Sequence, residues 1–450
     1  MRGSRLADRW GERMPRSVSL LQTVALSVGV TIGSGIFRVP ATVAGELQAP
    51  GPILLCWIAG GIVALCGALS VAELAGALPR SGGVFAYLLE AYGPLPAFLF
   101  GWTELAVIRA AALGATATIF AEYLGYFWPL DAGAVRRWAA LAIAVIGLIN
   151  YLGVQRAAAL QSAATALKYA ALVALGLLAF SAAGGSAAHF SHPWGAGVSL
   201  SLLATALVPV MWSYDGWADP ASMAGEIADP QRTLPRALIA GAVCVMLVYL
   251  LVNVGFLYAL APADMAGSRL IASTVAQRVP LLGHAGAGAI AGAVVIAAFS
   301  GLNGSMMTGS RIFYAMADRG LFFRSVARVS PRFNSPSVAI GIATVLGVAY
   351  VLANDFAQLA DKFVLGIWPF YALSVAAVFV LRLRQPQLPR PYRVWGYPVV
   401  PLVFLVASLL MVANALLTAP RDTGYTFLVI LAGIPVYLVR RRLVRPAPRA

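Results

Sequence analysis

The sequence predicts an all-α membrane protein with twelve spans, on three observations. Of its 450 residues, 60% are apolar and only 11% are charged, too few to cover the surface of a soluble chain of this length. Mean hydropathy is +0.82. Long apolar stretches recur from Val18 to Val439, and a bilayer core about 30 Å thick needs roughly 20 apolar residues per helix. The period-two alternation of a membrane barrel is absent, which leaves helices as the way to satisfy backbone polar groups in lipid.

In order, the pattern places spans at 18–45 (broken near its middle), 53–78, 95–125, 137–153, 157–181, 199–227 (again broken), 236–260, 284–317, 337–353, 358–383, 398–418 and 423–440. A short amphipathic helix at 83–92 follows Pro79-Arg80-Ser81-Gly82-Gly83, and the segment 262–281 reads as partly helical and outside the membrane. The basic N-terminus followed by an apolar run resembles a signal peptide, but Gly33-Ser34-Gly35 interrupts that run and many spans follow, so cleavage is not expected.

The net charge of +15 points in a soluble protein to nucleic acid. Here the positives sit in tails and loops, so they set orientation and no nucleic-acid partner is expected. The termini and even-numbered connections, with Arg311 counted among them, hold 23 basic residues against 6 on the opposite side. The positive-inside rule then places both termini in the cytoplasm of a cell inner membrane and favours an even number of spans. No phosphate-cradling Gly-x-x-x-x-Gly-Lys loop is present, which argues against an ATP-driven pump. Cys56, Cys66 and Cys244 lie in apolar stretches without ligand spacing, and His189, His192 and His284 fall at span edges or in outer loops. No metal, no cofactor and no enzymatic nucleophile–base pair is expected.

Two interruptions carry the chemistry. Gly29-Val30-Thr31-Ile32-Gly33-Ser34-Gly35-Ile36-Phe37 puts three glycines in seven residues of the first span, each costing a helix about 1 kcal/mol relative to Ala. Glycines spaced by four serve helix packing; a contiguous Gly-Ser-Gly is better explained by unwinding, which exposes N–H groups to an anion such as a carboxylate. In span six, Trp212-Ser213-Tyr214-Asp215-Gly216-Trp217 places an acid about midway along an apolar helix, a functional position by default. Carbonyls freed there suit an ammonium. Breaks five spans apart point to a five-plus-five inverted repeat with a midplane site.

These residues resemble the first-helix motif of the amino acid–polyamine–organocation (APC) superfamily, nearest its L-type amino acid transporter branch. The resemblance runs from 18 to 440. It includes Leu69-Ser70-Val71-Ala72-Glu73-Leu74, Trp102-Thr103-Glu104-Leu105 with Ile108-Arg109, Glu226-Ile227-Ala228-Asp229-Pro230, and Asn303-Gly304-Ser305 with Ser310-Arg311. It implies a LeuT-type fold: a tail at 1–17, a first repeat at 18–181, a second at 199–383, two further helices at 398–440 and a tail at 441–450. It implies secondary transport of amino acids through a permease or exchanger; the alternatives are a proton-coupled polyamine or organic amine transporter and a non-transporting nutrient sensor. The implied site is Thr31, Ile32, Gly33, Ser34 and Gly35 in the first break and Trp212, Ser213, Asp215 and Gly216 in the second. The N–H groups of Ser34 and Gly35 take the carboxylate, the Thr31 carbonyl lies near the amine, and Trp212 is the outer gate where the branch usually has Phe.

Lys168 lies deep in span five. A buried ammonium needs oxygen partners, and in the branch a lysine here stands in for the sodium of relatives, with Gly29, Ser300 and Asn303 as neighbours. Glu104 and Arg109 fall five apart, off one helical stripe, so no i,i+4 pair is expected and Arg109 is assigned to helix packing. Glu73 and Arg80 read as an inner-loop gate or fold determinant. Trp368, Phe370 and Tyr371 read as lipid- or core-facing. The loop from Gly125 to Arg137 has no cysteine, so the covalent heavy-chain partner of animal members is not expected.

Overall fold

Ser19 starts the first helix. Its hydroxyl accepts from Gln22 N at 3.3 Å while its own N–H donates to Gln22 Oε1 at 2.9 Å, a reciprocal box that satisfies two orphan donors. A computed structural model describes residues 16–33, 35–194 and 198–443. Helix α1 (Leu20–Thr31) stops at the glycine-rich segment, a 3₁₀ turn follows at Gly35–Phe37, and α2 (Val39–Leu47) completes the broken element. Then come α3 (Pro50–Ala77), the short α4 (Val84–Tyr92), α5 (Pro94–Leu124), α6 (Ala132–Tyr151) and α7 (Val154–Leu178). Proline occupies the first positions of α3 and α5, where its missing N–H costs nothing.

The second half of the chain opens on α8 (Leu200–Tyr214), capped by the Ser199 hydroxyl. The chain then breaks, and the continuation is an eight-residue 3₁₀ segment, Asp219–Glu226. Helix α9 (Pro230–Ala259) begins six residues before the expected start of span seven, with Pro230 at its first position. Two short helices, α10 (Pro262–Ala266) and α11 (Ile271–Arg278), lie where a partly helical loop is expected, and α12 (Gly283–Asp318) follows. The last four are α13 (Ser337–Ala353), α14 (Phe356–Arg384), α15 (Val399–Thr418) and α16 (Pro420–Leu443).

Among the described residues, nine helices are long and apolar enough to cross a membrane, with Leu20–Thr31 and Ser337–Ala353 as shorter apolar helices. The same residues contain no strand, only one parallel bridge between Val18 and Ile227. The chain is therefore an all-helical, multi-pass membrane protein. Helix α9 packs along α1 and α3, while α12 packs along α1, α5 and α7. That arrangement surrounds both broken elements with continuous helices.

One charge assignment changes. Arg311, counted above as a loop residue, lies inside α12 and is buried. Its Nε donates to Glu226 Oε1 at 2.9 Å and its Nη2 to Glu226 Oε2 at 3.3 Å. A guanidinium this close to a helix end looks like a loop charge in sequence; its paired acid, 85 residues away, explains how burial is tolerated.

Candidate functional site

The two breaks pack backbone to backbone. A Cβ added to Gly35 would lie 2.7 Å from Ser213 Cα, and one added to Gly216 would lie 2.9 Å from the Thr31 nitrogen. Gly216 also has φ +109, a left-handed conformation that favours glycine. The Tyr249 hydroxyl on α9 lies 2.9 Å from both the Thr31 and Ser213 carbonyl oxygens and donates its single proton between them. Unwinding leaves such carbonyls without their usual helical partners; the Thr31 carbonyl also accepts from the Gly33 N–H at 2.7 Å, and the Tyr249 proton is shared between it and the Ser213 carbonyl.

On the other side the breaks enclose a cavity of about 40 Å³, room for a few waters. Thr31, Gly33, Gly35, Trp212 and Asp215 line it, together with Arg109, Thr116, Asp219, Ser305 and Phe363. Ile32, Ser213 and Gly216, also implied for the site, are not among its lining residues. Ile32 is fully buried in the apolar core, its N–H on the Val28 carbonyl at 2.7 Å. The Ser213 hydroxyl donates to the Pro209 carbonyl at 3.3 Å. Gly216 packs on Thr31, and the Thr31 carbonyl, expected beside an amine, accepts from Tyr249. Ser34 lies outside the described residues.

Arg109 departs most from expectation. Residues Glu104–Ile108 form a π-turn within α5. One added residue per turn brings i and i+5 onto the same face. Arg109 Nε donates to Glu104 Oε1 at 2.9 Å, its Nη2 also reaches Oε1, and its Nη1 donates to the Ser305 hydroxyl at 2.8 Å. The same Nη1 lies 3.7 Å from Asp219 Oδ2. Asp219 also accepts from the Thr308 hydroxyl at 2.6 Å. Arg109 and Asp219 line both the central cavity and a smaller one beside it, which also meets Glu104 and Tyr371. Tyr371, read from sequence as lipid- or core-facing, is buried and donates to Asp215 Oδ1 at 2.9 Å.

Lys168 is buried, and its Nζ donates to the Gly29 carbonyl. Nearby, the Thr165 hydroxyl donates to the Ala25 carbonyl at 3.2 Å, so α7 is stitched to α1 just before the break. Ser300 is buried on α12. The Asn303 side-chain oxygen accepts from Asn150 Nδ2 at 2.9 Å and its amide donates to the Ala157 carbonyl at 2.8 Å, which ties α12 to α6 and α7.

Both ends of the cavity are closed. At one end the Val18 N–H donates to the Glu226 carbonyl and Ala228 N–H to the Val18 carbonyl, each at 2.9 Å, beside the Glu226–Arg311 pair. The loop after α3 seals the same end: Gly82 N–H donates to the Ser222 carbonyl at 2.9 Å, and the Ser81 hydroxyl accepts from Gly225 N at 3.1 Å. Glu73 and Arg80 do not pair with each other. Glu73 holds Arg382 at 2.6 and 2.9 Å and the Val394 N–H at 2.6 Å, while Arg80 reaches Glu90 at 3.3 Å. At the opposite end Trp212 meets Phe363 edge-on, with ring centroids 4.9 Å apart. Above it the Arg38 guanidinium lies 4.7 Å over the Phe356 ring and pairs with Glu122.

Comparison with known proteins agrees with this architecture. Residues 18–439 match the family profile of amino acid permeases. The chain belongs to the amino acid permease family. This permease is 30% identical to the human b(0,+)-type amino acid transporter 1 over 438 residues, 95% of this chain and 88% of the relative. It is 28% identical to the serine/threonine exchanger SteT of Bacillus subtilis, over 94% of this chain and 96% of the relative. It is 30% identical to the human cystine/glutamate transporter, over 94% and 85% of the two chains. The permease is thus an APC-superfamily transporter of amino acids, with relatives of the L-type branch, and not an enzyme.

Proposed function

We propose that this permease moves small amino acids across the inner membrane by alternating access, with both termini cytoplasmic and twelve spans arranged as repeats 18–181 and 199–383 followed by 398–440. The observation that carries this reading is the cavity between the two breaks, lined by Gly33 and Gly35 of the first and by Asp215 of the second. The substrate carboxylate lies against Gly33, Ser34 and Gly35, and its ammonium faces Asp215. Backbone dipoles of the glycine segment and the Asp215 carboxylate together orient a zwitterion, and a cavity of about 40 Å³ favours small side chains.

Alternating access requires two closures that open in turn. Trp212 with Phe363, beneath Arg38 and Glu122, is the outer one. The Val18–Glu226–Arg311 contacts are the inner one. Transport is sodium-independent in this reading, because Lys168 on the Gly29 carbonyl supplies a fixed positive charge between α1 and α7. A sodium ion within about 4 Å of that ammonium meets a repulsion of several kcal/mol at an effective dielectric near 20. The chain acts without a covalent partner, and exchange is favoured by the likeness to the serine/threonine exchanger SteT. The test is counterflow in proteoliposomes holding the purified chain alone, against twenty amino acids and several polyamines. Accumulation of one or more small amino acids is expected; accumulation of polyamines alone would replace the substrate class.

A further inference from the structure

The cavity walls hold more acid than base. Three carboxylates, Glu104, Asp215 and Asp219, surround a single guanidinium, Arg109. Among the described residues, the charged and titratable groups that bear on Asp215 are Glu104 and Arg109 from α5, Asp219 from the 3₁₀ segment, and Tyr371 from α14. Helix α12 faces them with Ser305 and Thr308, and α1 with Thr31, none of them charged. Lys168 is spent on Gly29. With all three acids ionised, the cluster carries two negative charges in excess inside the helix bundle.

The hydrogen bonds distribute that excess unevenly. Arg109 gives both Nε and Nη2 to one oxygen of Glu104. The other oxygen, Oε2, is buried without a hydrogen-bond partner. A lone buried carboxylate oxygen is costly unless it carries a proton. Asp219 has Thr308, the more distant Arg109 and its place at the start of a helical segment to stabilise its charge. Asp215 has one neutral donor, Tyr371. Carboxylates crowded in a low-dielectric site share protons rather than all ionise, and such a proton belongs to the cluster rather than to one residue.

We infer that the empty site of this permease holds an exchangeable proton within the Glu104–Asp215–Asp219 cluster, and that the substrate's ammonium displaces it. The inference rests on the proposed placing of the ammonium at Asp215. Arrival of R–NH₃⁺ adds one positive charge where the proton supplied it, and the proton leaves to water. One-for-one exchange of amino acids then moves no net proton. Net uptake returns the empty carrier protonated and so moves one proton outward for each substrate moved inward. Substrate affinity falls by up to about tenfold per pH unit in the range where the cluster gains its proton.

The proton can be sought without any substrate. Infrared pH-difference spectra of the purified chain in nanodiscs should show a carboxylic C=O band at pH 7 that disappears on alkalinisation. The band should shift or vanish in Asp215→Asn and in Glu104→Gln and persist in Lys168→Ala. Its absence from the folded wild-type protein at pH 7, or its indifference to both cluster variants, overturns the inference. Calorimetry with L-serine in two buffers of different ionisation heat then counts protons: about one released per molecule bound is expected, and none released contradicts displacement. Failure of the amino-acid reading would show instead as no binding by any amino acid, with the infrared band still present.

Discussion

Gly35 sits so close to Ser213 that the two broken helices touch through their backbones: an added Cβ would fall 2.5 Å from the Ser213 hydroxyl oxygen and 2.7 Å from its Cα. The glycine therefore serves packing as well as any backbone contact to substrate. Gly35→Ala is expected to overpack this contact, at about 1–3 kcal/mol, and to lower the Tm of the detergent-solubilised protein along with transport. Adding Ser213→Ala removes the nearest atom and should recover part of the stability. Unchanged Tm in Gly35→Ala with transport lost would instead isolate a binding role.

The π-turn of α5 makes a second prediction. Glu104→Ala leaves the buried Arg109 guanidinium with Ser305 and the more distant Asp219. Removing one partner of a buried pair costs about 3–5 kcal/mol. Thermal unfolding should register a loss of that size, larger than for Glu122→Ala, whose pair with Arg38 is about a quarter exposed on each side. Equal losses would mean that the Arg109 site is well hydrated.

The inner closure is testable by a double-mutant cycle. Glu226→Ala and Arg311→Ala should each destabilise strongly, because each strands a charge that is 1% exposed. The double variant should lose much less than the sum. Both single variants should also increase labelling of a cysteine placed at Ser222 by a reagent added from the cytoplasmic side. Additive losses and unchanged labelling would remove this pair from the gate.

Orientation has its own check. Cysteines at Arg137 and Lys362 should label from outside, and those at Arg156 and Arg390 only after permeabilisation. The reverse pattern overturns the inward placing of the termini.

Much of this architecture was legible in the sequence, and the exceptions have physical causes. The interruption at Gly33-Ser34-Gly35 and the acid at Asp215 announced both breaks, since neither is tolerated in an apolar helix without purpose. Burial of Lys168 called for an oxygen partner, and the family resemblance placed that partner near Gly29, whose carbonyl the ammonium meets. Arg109 was assigned to packing alone because its partner, Glu104, lies five residues before it, and a π-turn leaves no mark in a 3.6-residue pattern. Asp219 went unread, and Tyr371 was read as lipid- or core-facing, for a related reason: they enter the site only through the 3₁₀ geometry after Gly216 and the angle of α14. Glycine content marked where the helices open, but not that Ser213, Ile32 and Gly216 would be consumed by packing.

Sodium replacement tests the central claim most directly, namely that two broken helices bind an amino acid with Lys168 as their built-in cation. Exchange of the amino acid found by counterflow should be measured in proteoliposomes at fixed pH, with sodium and then with choline on both sides. Equal initial rates are predicted, with Lys168→Ala slowing exchange more than it weakens binding. A strong sodium dependence of the unmutated protein would contradict the account and free the space beside Gly29 for the ion.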